Sequence, residues 1–238
     1  MRNVVKKLVC ILSVLVFALT IPAAADDMPQ QEKVIYLTFD DGPSIYTAQL
    51  LNTLAQHDAK ATFFLVNTGT DMEHLLQRMV NEGHSVGIHS YSHDFKTIYS
   101  SDESFMEDLY AMQRLIYEKC GVLTTLMRFP GGGSNTVSRR YCCGIMSRLA
   151  KRVCAEGFTY FDWNVDSGDA YGCPDPEKIF QKVISGIRGK DRAVVLQHDV
   201  NGCSVQTVER IILWGKRNGY VFQALTENSD PCRHRVQN

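Results

Sequence analysis

Neither sign of charge is in excess: 25 Lys and Arg stand against 26 Asp and Glu, a formal net charge of −1. No basic stripe or block of like charge runs through the chain, so the electrostatic footprint of a nucleic-acid partner is missing. After residue 25 no apolar run approaches the roughly 20 residues that a membrane-crossing helix needs. There is no internal repeat, no low-complexity tract and no long linker at which to divide the remainder. The 8 cysteines do not fall into two CxxC pairs, so a structural zinc site built of thiolates is not expected.

What is present begins with a targeting pattern. Arg2, Lys6 and Lys7 give a positive start, residues 8–21 are almost uninterruptedly apolar, and Ala23-Ala24-Ala25 offers a small-residue cleavage site ahead of Asp26 and Asp27. The expectation is a signal peptide over residues 1–25, a short segment over 26–32 and one domain over 33–238, with an uncleaved N-terminal anchor as the alternative. Such a chain is exported, either secreted or held at the cell wall or surface. Loss of residues 1–25 leaves 213 residues, enough for one sizeable core, and removing its three cations takes the formal charge from −1 to −4. Cys10 goes with that segment. Cys120, Cys142, Cys143, Cys154, Cys173, Cys203 and Cys232 remain, an odd number, in a setting where some should be oxidised. One thiol is then free or paired between chains, or export is wrong, and the spacing leaves the connectivity open.

From Lys33 onward, short apolar runs alternate with helical stretches. Strands are expected at 34–39, 61–66, 85–89, 125–129, 159–163, 193–197 and 220–225. Each is short, rich in β-branched and aromatic residues, and often followed by Asp, His, Asn or Gly. Between them Phe105, Leu109, Met112 and Ile116 recur at helical spacing, as do Val205, Val208 and Ile212; such stripes are core-facing helix faces with no chemistry of their own. Helices over 47–57, 71–81, 138–156 and 175–187 complete the set. Strand–helix alternation of this kind builds a parallel sheet covered by helices. About seven strands in one domain predict a barrel, complete or not, with an open doubly wound sheet as the alternative. Gly131-Gly132-Gly133 reads as a loop needing unusual backbone freedom.

Acidic and basic residues fall at the ends of these strands. Asp40-Asp41 follows the first, His89 ends the third with His93 four residues on, and Arg128 ends the fourth; Asp166 follows the fifth and His198-Asp199 the sixth. In a parallel α/β sheet such ends converge on one face, where active sites are built. Singly, each has a plain explanation. Paired aspartates before Gly-Pro often cap a turn, an isolated HxxxH is a common surface coincidence, Arg128 could serve a structural carboxylate, and His198 could satisfy a buried carbonyl. Five such groups on one rim are poorly explained that way.

In chain order, Thr38-Phe39-Asp40-Asp41-Gly42-Pro43, His89-Ser90-Tyr91-Ser92-His93, Arg128-Phe129-Pro130-Gly131-Gly132, Asp166-Ser167-Gly168-Asp169 and Leu196-Gln197-His198-Asp199 resemble five motifs of one family. It is the NodB-like polysaccharide deacetylases, carbohydrate esterase family 4, and the resemblance runs from about residue 33 to 225. It implies a single-domain α/β fold, a distorted (β/α) barrel of about seven parallel strands. It also implies hydrolytic removal of N-acetyl groups from a polysaccharide by one divalent metal ion held by Asp41, His89 and His93. Two imidazoles and a carboxylate leave positions open for water and substrate; zinc is the first choice, and cobalt, manganese or nickel suit the same donors. By the same resemblance Asp40 is the general base, Arg128 its orienting partner, His198 the general acid and Asp166 the carboxylate that orients His198. The Gly131 N–H is the implied second donor to the oxyanion. Leu196 is expected to line an apolar pocket for the acetyl methyl, with a core leucine as the equal alternative; the two roles can coexist.

Two positions depart from the common pattern. Gly131 stands where tyrosine is frequent, which removes a groove wall, and Ala170 stands where tryptophan is frequent, which opens the acetyl pocket or leaves another side chain to close it. Trp163 is a candidate for that closure, against the plainer reading of a packed core tryptophan. Within the class, peptidoglycan N-acetylglucosamine is the first substrate expectation, chitin or chitooligosaccharide the second and O-acetylated xylan the third. Rival classes are a catalytically silent glycan-binding wall protein and a metal-dependent phosphoesterase, whose sites usually recruit more carboxylates and often two metals. The only partner implied is the N-acetylated glycan, with no nucleic acid and no stable protein partner.

Overall fold

The computed structural model describes residues 32–238 except 70, 71, 171, 173 and 174; the expected signal segment and Cys173 lie outside the described residues. Among the described residues, eight parallel strands form one sheet. β1 (Lys33–Asp40), β2 (Ala61–Val66), β3 (Ser85–Ser90), β4 (Leu126–Met127), β5 (Thr159–Tyr160), β6 (Val165–Asp166) and β7 (Arg192–His198) lie in the order β5-β4-β3-β2-β1-β7-β6, and β8 (Tyr220–Phe222) pairs with β1. β1 is the hub. Lys33 to Ile35 pair with β8, Leu37 to Asp40 pair with β2, and β7 runs along the other side from Val34 to Asp40. The sheet curves into a half-barrel that stays open between β5 and β6. The covering helices are α1 (Thr47–Gln56), α2 (Met72–Asn81), α3 (Phe95–Ile98), α4 (Asp102–Cys120), α5 (Ile145–Ala155), α6 (Pro176–Ile187), α7 (Gly202–Val205) and α8 (Val208–Arg217).

Strand alternation divides the apolar residues between two faces. Ile35, Leu37, Phe39, Phe63, Leu65, Ile88 and Val195 face the helices in the main core, with Leu50, Leu54, Met112 and Ile116 among their partners. Tyr36, Phe64, Leu126, Phe161, Val194 and Leu225 form a smaller cluster on the inner face. Burial on both faces is why the strands read as continuous apolar runs. Phe64 has room because residue 87 on neighbouring β3 is glycine: a Cβ there would come within 2.7 Å of its ring.

The parallel barrel-type fold is the expected one, and the local differences have local causes. The expected strands at 125–129 and 159–163 pair over two residues each, and β6 was not anticipated. Between β5 and β6 side chains replace the ladder. The Asp162 carboxylate accepts the N–H groups of Gly133 and His234, each at 2.7 Å, while Asn164 takes the Val194 N–H at 2.8 Å and donates to the Arg192 carbonyl at 3.1 Å. Asp and Asn used this way leave no strand signature. The C-terminal segment follows this seam: the Asp162 N–H donates to the Cys232 carbonyl at 2.6 Å, and Ser147 N–H to Asn238 at 2.8 Å. The helix expected at 138–156 is a short 3-10 turn, Val137–Arg140, and then α5, parted at Gly144 with φ 74°. Cys120, Cys142, Cys143, Cys154 and Cys232 are free thiols, and Cys203 is disulfide-bonded. No described helix is long and apolar enough to cross a membrane.

His84, just ahead of β3, is buried. The Ala61 N–H donates to its Nδ1 at 3.2 Å, so the ring proton sits on Nε2, which has no partner among the described residues. Burial lowers its pKa from 6.5 to about 4. The unfolded chain therefore binds this proton first, and the fold loses up to about 3 kcal/mol as pH falls from about 6.5 to about 4. Denaturant unfolding of wild type and His84→Gln at about pH 7.5 and about pH 4.5 checks this. The glutamine keeps an acceptor for Ala61, so the variant should lose clearly less stability across the interval; equal losses would remove His84 from the acid response.

Candidate active site

Three strands deliver the central groups. On β1, Thr38 and Asp40 share the inner face with Tyr36; on β7, Leu196 and His198 share it with Val194; His89 comes from β3. Register sets Asp40 beside His198. Asp41 is the next residue, and a continuing strand would send it to the helix side. Its φ of 71° takes it out of the extended region, and its Oδ1 lies 3.4 Å from Nε2 of both His89 and His93. His93 is also left-handed, at φ 51°. For residues with a Cβ such conformations store strain and persist where surrounding structure enforces them.

The donor atoms of Asp41, His89 and His93 lie within 4.8 Å of one another. Asp41 Oδ1 is buried with no hydrogen-bond partner among the described residues. His89 Nδ1 lies 2.8 Å from the Arg128 carbonyl, which can only accept, so the proton is on Nδ1 and Nε2 turns its lone pair towards Asp41. Burial holds the His89 pKa down to about 3, which keeps the ring neutral. An orphaned carboxylate oxygen facing two imidazole nitrogens fits a divalent cation. The loop between the histidines is held by Asp108 of α4, for which the sequence carried no signal. Its carboxylate accepts from Ser90 Oγ at 2.6 Å, Tyr91 N–H at 2.7 Å and Ser92 N–H at 2.8 Å, and Ser90 Oγ takes the His93 N–H at 2.9 Å.

Beside this cluster lies a buried ion pair. Arg128, with no exposure, donates from Nη1 to Asp40 Oδ1 at 2.8 Å and to Thr38 Oγ1 at 2.7 Å, from Nε to the Phe161 carbonyl at 2.9 Å, and from Nη2 to the Asp162 carbonyl at 3.0 Å. Its guanidinium carbon lies 4.4 Å from the centre of the Phe64 ring. Burial raises the Asp40 pKa, and the nearby cation opposes this without cancelling it.

On the other side is His198. Its Nδ1 is 2.7 Å from Asp169 Oδ1, while Asp169 Oδ2 accepts the His198 N–H at 2.8 Å. Burial disfavours the imidazolium, yet the hydrogen bond and charge of Asp169, helped by Asp40 and Asp41, raise the His198 pKa to about 9. Nε2 lies 4.0 Å from Asp41 Oδ2. The carboxylate expected here, Asp166, is elsewhere. It ends β6, spends Oδ1 on the Gly168 N–H at 2.7 Å and lies 3.9 Å from Lys182 Nζ. Gly168, at φ 76°, turns the chain so that the second aspartate of the motif comes back to His198. The motif contains both carboxylates, and only the turn decides between them.

Gly131 is exposed at φ 76°, and Phe95, next to it, packs edge-on to His93 at 5.6 Å. Leu196 is buried two residues before His198. A cleft of about 560 Å³, lined by Asp41, Tyr46, Asp169, Ala170, His198 and Asn201 among others, opens beside the cluster. Trp163 packs on the inner cluster, 5.7 Å from the Arg128 guanidinium and 4.7 Å from the His234 ring, and takes no part in lining that cleft.

The assignment of Asp169 predicts an NMR result. In metal-free protein the His198 ring should titrate near pH 9. Asp169→Asn should lower that midpoint by about two units or more, because one unit corresponds to about 1.4 kcal/mol of interaction with the charged form. Asp166→Asn should leave it in place. A larger shift in the Asp166 variant would reverse the assignment.

The polysaccharide deacetylase family profile matches residues 27–142. A peptidoglycan-N-acetylglucosamine deacetylase of Bacillus cereus is 38% identical over 206 residues, which cover 84% of this chain and 72% of that protein. Among solved structures, the catalytic domain of a peptidoglycan N-acetylglucosamine deacetylase from Eubacterium rectale aligns with a TM-score of 0.85 and 47% identity, over 91% of this chain and 99% of that one. A polysaccharide deacetylase from Bacillus cereus aligns with a TM-score of 0.75 and 37% identity, over 84% and 96%. With its motif residues gathered on one rim of the parallel half-barrel that these relatives share, this chain is a hydrolase of the polysaccharide deacetylase family, carbohydrate esterase family 4.

Proposed function

We propose that this chain is exported and removes N-acetyl groups from the N-acetylglucosamine units of peptidoglycan, using one divalent metal ion, zinc in first place, held by Asp41, His89 and His93. The observation that carries the reading is the placement of two proton carriers around one donor cluster: Asp40 bonded to Arg128, and His198 bonded to Asp169. The N-terminal pattern supports export, the donor set supports the metal, and the relatives named for peptidoglycan support the substrate.

Bound there, the cation supplies polarisation of the acetyl carbonyl and a water of lowered pKa. Asp40 would accept the proton of the attacking water on Oδ2, the oxygen that Arg128 leaves free. Arg128 keeps the carboxylate from rotating away. His198 gives its Nε2 proton to the departing amine, which leaves poorly unless protonated, and Asp169 keeps the imidazole charged until then. Gly131 is an exposed residue, and its N–H would serve the oxyanion, a contribution of about 10²–10³ in rate for one such donor. Leu196 lies on the inner face beside His198, where the acetyl methyl would rest, and Ala170 leaves the adjoining cleft open.

Acetate release from peptidoglycan, chitooligosaccharide and acetylated xylan, with and without chelator, tests the reading. Peptidoglycan should be turned over fastest, the chelator should abolish release, and zinc or cobalt should restore it. Asp40→Asn should lose on the order of 10³-fold in kcat and His198→Ala on the order of 10²–10⁴-fold, both with full metal content. Metal loss from His198→Ala would make it a ligand. Release that survives chelation sinks the metal, and no release from any glycan leaves a binding protein.

A further inference from the structure

Asp199 follows the last motif histidine, is fully buried, and has no part in the proton transfers above. Its carboxylate occupies the space into which a side chain at residue 42 would project: a Cβ on Gly42 would lie 2.2 Å from Oδ1 and 2.3 Å from Oδ2. Thr47 Oγ1 donates to Asp199 Oδ2. The Ser44 N–H donates to that same Thr47 hydroxyl at 2.7 Å, and Ser44 Oγ donates to the Asp199 carbonyl at 2.7 Å. On the far side, the Gly42 carbonyl accepts the Val66 N–H at 2.9 Å. The turn after Asp41 is thus clamped between the ends of β2 and β7.

The clamp matters because of how the three donors are oriented. A metal ligand is normally aimed by a partner on its other polar atom. His89 has the Arg128 carbonyl, and the backbone of His93 is tied to Ser90 and, through it, to Asp108. Asp41 turns Oδ1 to the two histidines, its other oxygen, Oδ2, lies 4.0 Å from His198 Nε2, too far for a hydrogen bond, and the residue sits at φ 71°. Its aim therefore has to come from the backbone turn that carries it. We propose that Asp199, acting through Thr47, is a positioning residue of the metal site, holding the 41–47 turn so that Asp41 faces His89 and His93. The inference rests on the metal reading above.

Calorimetric titration of zinc into the metal-free full chain tests it, on wild type, Thr47→Val, Asp199→Ala and Asp199→Asn, alongside thermal melts of each. Thr47→Val and Asp199→Ala should weaken zinc binding by on the order of 10–100-fold. Asp199→Asn, which keeps the shape and can still accept from Thr47, should recover affinity to within about 3-fold of wild type. Wild-type affinity in both Thr47→Val and Asp199→Ala, or in Thr47→Val alone if the alanine variant does not fold, overturns the proposal. So does an asparagine variant as weak as the alanine one, which would assign the effect to charge. If wild type bound no divalent metal, the metal site itself would fall and this inference with it.

Discussion

A guanidinium shut away from water is the constraint around which the inner face of the sheet is built. An unpaired charge in that position would cost several kcal/mol, so its partners are structural necessities. Arg128 finds them on β1 in Asp40 and Thr38, and on the β5–β6 connection in the carbonyls of Phe161 and Asp162. One side chain thereby ties β4 to the central strand and to the seam where the half-barrel fails to close. Phe64 packs against it, in space that Gly87 leaves free. The same bonds fix the carboxylate of Asp40, so the inner core and the chemistry are set by one residue.

Two histidines on the rim are driven in opposite directions by the same kind of burial. His89 donates a hydrogen bond from Nδ1 to a backbone carbonyl, which carries no full charge, and desolvation holds the ring neutral. His198 donates a hydrogen bond from Nδ1 to Asp169, and the carboxylate overcomes desolvation and keeps the ring charged. A neutral imidazole has a lone pair to offer a cation; a charged one has a proton to offer a leaving group. The partner of one ring nitrogen is enough to separate the two roles.

Much of the fold was legible because parallel strands buried on both faces appear as apolar runs, closed by polar residues at the catalytic rim. β1, β2, β3 and β7 were placed to within about a residue or so at each end, a common margin for such boundaries. The short strands were not, since Asp162 and Asn164 satisfy that part of the edge with side chains and suppress the periodic signal. The rim residues Asp40, Asp41, His89, His93, Arg128 and His198 were legible as a set because each sits at or near a strand end. Asp108 was invisible: it lies on α4, eighteen residues from the serine it holds.

By itself the sequence determined the alternation of strand and helix, the order of the motifs and the residue types available at the rim, because these depend on near neighbours in the chain. Only the tertiary structure decided which aspartate of Asp166-Ser167-Gly168-Asp169 reaches His198. It also decided that Asp41 turns inward against strand geometry, and that Asp199 fills the space beside Gly42. Those choices depend on left-handed turns and on the register between strands far apart in sequence, where a single backbone dihedral redirects a side chain from one face of the sheet to the other.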